Sequence, residues 1–140
     1  MQDIAIFMQH HWQLSLGLII VLFILVILEF IKNKHGAKRL SPQQVIQQMN
    51  HQNAMVVDVR NIDAFANGHI VGSTSLPLRE LEEKIKKIEK YITQPMIITC
   101  SAGLESPRAA TILTKKGYNV FILNGGIKAW QQAGMPLVKE

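Results

Sequence analysis

The chain is short of cysteine, of aromatic residues and of charge. It holds one cysteine in 140 residues, which excludes a disulfide framework and a multi-cysteine zinc site. A lone thiol fits a reducing compartment or a reactive nucleophile. Aromatic residues make up 6% and charged residues 18% of the chain. The basic residues are not interleaved with aromatics and match no nucleic-acid motif, so no nucleic-acid partner is expected. No stretch repeats at a fixed period, which excludes a solenoid. The hydrophobic share, 48%, is too high for a disordered chain, and the length allows about one domain. Lys and Arg are absent from the first 31 residues.

What those 31 residues do contain is a long apolar run. From Leu14 to Ile31 the chain reads LSLGLIIVLFILVILEFI, with only Ser15 and Glu29 polar. At about 1.5 Å per residue this run covers about 27 Å, close to a hydrocarbon core of about 30 Å. Trp12 suits the interface, and Glu29 lies near enough to the end to reach the headgroups. A cleavable signal peptide would need a basic start and a small-residue cleavage site. Here the start carries Asp3, His10 and His11, and no A-x-A follows. The two adjacent histidines diverge on a helix and make no metal pair. A core helix apolar on all sides for about five turns would be out of proportion to the rest of the chain. Residues 1–31 therefore read as one transmembrane anchor, with 14–31 in the membrane. Lys32, Lys34, Lys38 and Arg39 follow the run. The positive-inside rule predicts an inner (cytoplasmic) membrane protein with its N-terminus outside and its C-terminal domain in the cytoplasm.

Residues 32–40 read as a linker and 41–138 as the soluble domain. Residues 36–140 carry thirteen Lys and Arg against eight Asp and Glu, so the positive surplus sits there, where it suits lipid headgroups or draws in anionic substrates. Ser41-Pro42 opens a helix, with Gln44 completing a capping box, and the helix is expected to end near 51–53. Met55–Val59, Met96–Thr99 and Asn119–Leu123 are short runs rich in β-branched residues and read as buried strands. Thr74–Leu76 reads as a shorter one. Asn61–Gly72 reads as loop with one helical turn. Leu81, Ile85, Ile88 and Ile92 are spaced as one helical stripe, with Glu82, Glu83, Lys84, Lys86, Lys87 and Lys90 on its wet face. Ser106-Pro107 repeats the N-cap signal, for a helix ending at Gly117, and Ile127–Ala133 forms the last helix. Helices alternating with short buried strands predict an α/β domain, its mainly parallel sheet flanked by helices on both faces.

Ligands in such sheets bind at the C-terminal strand ends, where Cys100 lies. A strand runs directly into Cys100, then into Ser101-Ala102-Gly103-Leu104-Glu105, then into a Pro-started helix. A loop turned that tightly can gather main-chain N–H groups into an anion nest, backed by the positive end of the helix. Such a nest favours the thiolate, which is the nucleophile. A lone cysteine is otherwise most often a small buried hydrophobe; the strand–Cys–loop–helix setting favours a functional site. His69 has no second ligand at metal spacing. Asp58 and Arg60 read as a structural pair at a strand end. Gly68, Gly72, Gly103, Gly125 and Gly126 read as turn residues, and Trp130 as core.

Four segments carry a resemblance. They are Val57-Asp58-Val59-Arg60; Phe65-Ala66-Asn67-Gly68-His69-Ile70-Val71-Gly72-Ser73; Cys100-Ser101-Ala102-Gly103-Leu104-Glu105-Ser106; and Leu123-Asn124-Gly125-Gly126-Ile127-Lys128-Ala129-Trp130. In this order they resemble the motifs of the rhodanese-like domain family, over about Leu40 to Val138. With the anchor, the chain resembles the single-pass, membrane-anchored bacterial members. The resemblance implies a sulfurtransferase in which Cys100 takes a sulfane sulfur from thiosulfate or a protein persulfide. The cysteine holds it as a persulfide and passes it to a thiol or cyanide. It implies no cofactor and no metal. Main-chain N–H groups of Ser101, Ala102, Gly103, Leu104, Glu105 and Ser106 would hold the anionic sulfur. His69 would be a structural hydrogen-bonder beneath the loop.

One position departs from the family pattern. Active members often close the loop with a basic residue, and here Glu105 stands there. A carboxylate there repels thiosulfate, which points to a protein persulfide or cationic carrier as donor; Arg108 in the first helical turn could offset it. Cysteine phosphatase chemistry needs C-x5-R, but six places after Cys100 stands Ser106, and Arg108 comes two places late. The alternative reading is a non-catalytic module for protein interaction at the membrane, and Glu105 is its main support.

Overall fold

Short apolar strands separated by helical crossovers have the long connections that parallel pairing requires. The computed structural model describes residues 2–34 and 36–140. It divides into two units, Met1–Gly36 and Ala37–Glu140. The first unit holds helices α1 (Gln2–His10) and α2 (Trp12–Lys34). Within α2 the stretch Trp12–Ile31 is long and apolar enough to cross a membrane, and none of it is buried.

The second unit runs β1 (Lys38–Leu40), α3 (Pro42–Gln52), β2 (Met55–Asp58), α4 (Ile62–Asn67) and β3 (Thr74–Ser75). Two 3-10 helices follow, Leu78–Glu80 and Ile85–Tyr91, then β4 (Met96–Thr99), α5 (Ser106–Lys115), β5 (Val120–Leu123) and α6 (Gly126–Gln132). The sheet order is β1-β5-β4-β2-β3, and every pair is parallel. Successive strand residues face opposite sides. Val57, Ile98 and Ile122 pack under α5 and the 3-10 segment with Leu81, Ile88, Ala109 and Leu113. Val56, Ile97 and Leu123 pack on the other side with Val45 of α3 and Ile127 and Trp130 of α6. The sheet is thus covered on both faces, as the alternation predicts.

The capping box forms: Ser41 Oγ accepts the Gln44 N–H at 3.3 Å, and the Gln44 side chain accepts the Ser41 N–H at 2.9 Å. Asn53 ends the helix in the left-handed region, φ 51°. Other expectations are corrected. The stretch read as linker, 32–40, is shorter: α2 continues to Lys34, and Lys38–Leu40 form β1 along β5. Backbone pairing and burial of Leu40 make that strand. Asn61–Gly72 contains more helix than one turn; Asn61 caps α4 by accepting the Ala64 N–H at 2.8 Å. The stripe from Leu81 to Ile92 is not one α-helix. It winds as turns and 3-10 helix, with no side-chain cap at either 3-10 start and Ile92 exposed. The expected cap at Ser106 also fails. Glu105 already has helical angles, φ −89° and ψ −26°, where a capping residue needs extended ones, so Ser106 is the first helical residue.

Candidate active site

The site starts where β4 leaves the core. All four of its residues are buried, and Cys100 follows at its C-terminal edge, 3% exposed. The Cys100 side chain belongs to the same packed cluster as Val59, Ile98 and Ala109. The loop then folds back over it. Gly103, at φ +87°, donates its N–H to Cys100 Sγ at 3.1 Å. That left-handed angle is open to glycine at little cost. Among the described residues, the N–H groups of Ser101, Ala102, Leu104 and Glu105 donate to no protein acceptor. Ser101, Ala102, Leu104 and Glu105 are exposed, and Leu104 is 87% so. Ser106 is fully buried, and its hydroxyl has no partner.

The Asn124-Gly125-Gly126 turn clasps the loop from below. Ile127 N–H donates to the Cys100 carbonyl at 2.8 Å, and Lys128 N–H to the Ser101 carbonyl at 3.0 Å. A Cβ at Gly126 would overlap the Cys100 carbonyl oxygen and lie 2.9 Å from the Ser101 carbonyl carbon and oxygen. Only a glycine lets the two segments meet. The glycine pair, far from the cysteine in sequence, therefore sets the position of the loop.

Next to Cys100 the end of β2 is closed by an ion pair. Asp58 is fully buried, and its Oδ2 lies 2.7 Å from Arg60 Nη2, which also donates to the Gly68 carbonyl at 2.7 Å. His69 lies on α4's side of this corner. Its Nδ1 pairs with the Phe65 carbonyl at 2.9 Å and its ring stacks on Phe65, so its hydrogen bond goes there and not to the cysteine loop. Arg108 is exposed and lines a cleft of about 740 Å³ together with Glu105, Val59, Asn61, Pro77, Leu78, Arg79, Glu82 and Ile112. Arg79 carries no site signal in the sequence, and Glu82 belongs there to a wet face. No local signal marks them, since the fold alone brings them to the loop. No group of three or more His, Cys, Asp or Glu that could hold a metal occurs among the described residues.

A thiol at a strand end, under a loop of unengaged N–H groups and pinned by a Gly-Gly turn, joins three of the resembling segments in one place. This chain belongs to the rhodanese-like domain family. The family matches residues 41–133. The uncharacterized protein YibN of Escherichia coli K12 is 31% identical over 99% of both chains. The thiosulfate sulfurtransferase GlpE of Shewanella oneidensis is 33% identical over 69% of this chain and 94% of that relative. Among solved structures, a rhodanese-related protein from Thermoplasma volcanium superposes with a TM-score of 0.67 at 28% identity, covering 74% of this chain and 99% of that one. The similarity to YibN extends through the apolar N-terminal helix, whereas that to GlpE covers 69% of the chain.

Proposed function

We propose that this chain is a membrane-anchored sulfurtransferase that carries sulfane sulfur as a persulfide on Cys100. The carrying observation is Gly103 N–H on Sγ inside a loop whose other N–H groups are unengaged. Those donors suit a sulfur that bears negative charge before, during and after transfer. In the loading step Cys100 attacks the outer sulfur of the donor. The S–S bond of the donor breaks, and its electron pair leaves with the donor, as sulfite from thiosulfate or as a thiolate from a protein persulfide. A thiol acceptor then takes the sulfur from Cys100. Neither step calls on a cofactor or a metal. The relatives named thiosulfate sulfurtransferase support the reaction class.

Glu105 bears on the donor. Its exposed carboxylate at the loop's end disfavours thiosulfate and favours a protein persulfide or a cationic carrier. The same residue, with Leu104 standing clear of the surface, supports the second reading, a docking module with weak or no catalysis. We place α2 in the inner membrane through residues 14–31, with the N-terminus outside and the domain in the cytoplasm, on the basic residues that follow the span.

Mass spectrometry of the full-length protein in detergent tests the chemistry. After exposure to thiosulfate and to low-molecular-weight and protein persulfides, the wild type gains one sulfur atom and Cys100→Ser gains none. No gain from any donor leaves only the docking role. An alkaline phosphatase fused to the C-terminus is inactive in this topology, and an active fusion overturns it.

A further inference from the structure

We propose that the edge of the sheet at which its strands begin is a docking surface for anionic lipid headgroups. The inference goes beyond the sulfur chemistry and rests on the anchor reading of α2. Strands β1, β5 and β4 are neighbours and parallel, so their starts share one edge. Basic residues stand at each start. Lys38 opens β1, Lys115 and Lys116 lead into β5, and Lys90 lies in the last turn before β4. All four are exposed. The lead-ins run side by side: Met96 N–H donates to the Asn119 carbonyl at 2.8 Å, and Met55 N–H to the Pro95 carbonyl at 2.8 Å. Ile92, in the same lead-in as Lys90, is exposed as well. Among the described residues of 36–38, 89–95 and 115–119, the negative charge is that of Glu89.

The opposite edge has another composition. Asp63, Glu80, Glu82, Glu83 and Glu105 all follow the C-terminal end of a strand. Charge is thus sorted along the strand direction, with cations gathered at the starts. The four lysines form no ion pair with any described residue; the recorded pairs are Asp58–Arg60 and Glu80–Lys84. Their charge is left for a partner, and the chain itself points to which. It enters the domain at Lys38, three residues after Lys34 ends α2, and Lys32 and Lys34 are basic too. Four residue steps of extended chain reach about 14 Å at most, too short a tether to carry Lys38 far from the headgroups. Near an anionic leaflet each Lys or Arg adds about fivefold to binding, within about a Debye length of the surface. Ile92 adds an apolar contact of the kind that enters the interfacial layer. Cys100 follows the other end of β4. Docking by the starting edge therefore leaves the cysteine loop open to soluble partners.

The test uses the full-length protein in nanodiscs of phosphatidylcholine, alone or with phosphatidylglycerol in equal parts. An uncharged amine-reactive ester labels the lysines, and mass spectrometry reads the rate at each. Lys90, Lys115 and Lys116 are expected to react at least about fivefold more slowly in the anionic discs than in the neutral ones, and the difference vanishes at about 1 M salt. Lys84, paired with Glu80, and Lys128, whose N–H holds the cysteine loop, react alike in both. In the double variant Lys115→Gln, Lys116→Gln, its fold verified by circular dichroism, the slowing at Lys90 is largely lost. Equal rates at the three lysines in the two kinds of disc overturn the inference. Slowing that extends equally to Lys84 and Lys128 does so too, since it marks general adsorption. Slowing at Lys90 that survives the double variant also overturns it. Failure of the anchor reading looks different: the chain enters discs of neither composition. Failure of the persulfide reading leaves every one of these rates unchanged.

Discussion

The ends of β2 and β4 are neighbours, with Asp58 opposite Thr99 in register and Val59 N–H bonded to the Thr99 carbonyl at 3.0 Å. Past that point the two ends diverge. At β2 the buried Asp58 carboxylate accepts from the Arg60 main-chain N–H and from its guanidinium, which reaches on to Gly68. Both oxygens of that carboxylate are answered by the protein, and the group left open beside it is the hydroxyl of Ser75, opposite Asp58 on β3. At β4 the thiol receives one N–H, four neighbouring N–H groups donate to no described protein acceptor, and the Ser106 hydroxyl has no partner. Buried polar groups are normally satisfied within the fold. A strand end whose groups are left open is suited to a ligand, and one whose groups are closed is suited to holding shape. The first end fixes the scaffold, and the second is the one to which we assign the proposed sulfur transfer.

The largest effect is expected from opening the closed end. Arg60→Ala leaves a fully buried carboxylate without its cation, a change that typically costs about 3–5 kcal/mol. Urea unfolding of the full-length protein in detergent measures it. A loss under about 1 kcal/mol would show that the corner at β2 is no more closed than the one at β4. A comparable loss is expected at the clasp. Gly126→Ala puts a Cβ against the Cys100 and Ser101 carbonyl groups at φ +62°. Left-handed backbone and overpacking each cost about 1–3 kcal/mol. Because the clasp sets the loop, sulfur loading on Cys100 should fall with stability. Full loading at reduced stability would separate the turn from the site.

Most of the scaffold was legible because local chemistry fixes it. The Ser41–Gln44 box, the β-branched runs at Met55, Met96 and Val120, and the passage from strand to Cys100 each follow from neighbouring residues. What failed depends on distant partners. Lys38-Arg39-Leu40 has no strand periodicity and becomes a strand only because β5 offers an edge. Ile85, Ile88 and Ile92 carry α-helical spacing, yet the segment lacks a cap and its buried anchors hold it in tighter turns. Ser106-Pro107 has the composition of the Ser41-Pro42 start, but the loop enters α5 with Glu105 already helical, against ψ 161° at Ser41. In the candidate site, the placement of Cys100 and its loop at a strand end could be read directly. Arg79 and Glu82 could not, since only the path of the chain between β3 and β4 brings them to the cleft.

The smallest effect has the most informative sign. Ser106 sits at the start of α5 with a buried, unpartnered hydroxyl, and such a group costs about 1–3 kcal/mol relative to one that is satisfied. Alanine removes the hydroxyl, is the best helix former, and leaves a vacancy no larger than the lost oxygen. Ser106→Ala should therefore raise stability by about 1 kcal/mol in the sulfur-free protein, read from the urea midpoint at unchanged slope. Natural folds are seldom at their stability optimum, so the gain measures how open the group is and does not by itself assign it a role. If the variant is instead less stable, the hydroxyl has a partner in solution, the end of β4 is closed much as β2 is, and the contrast between the two strand ends loses one of its supports.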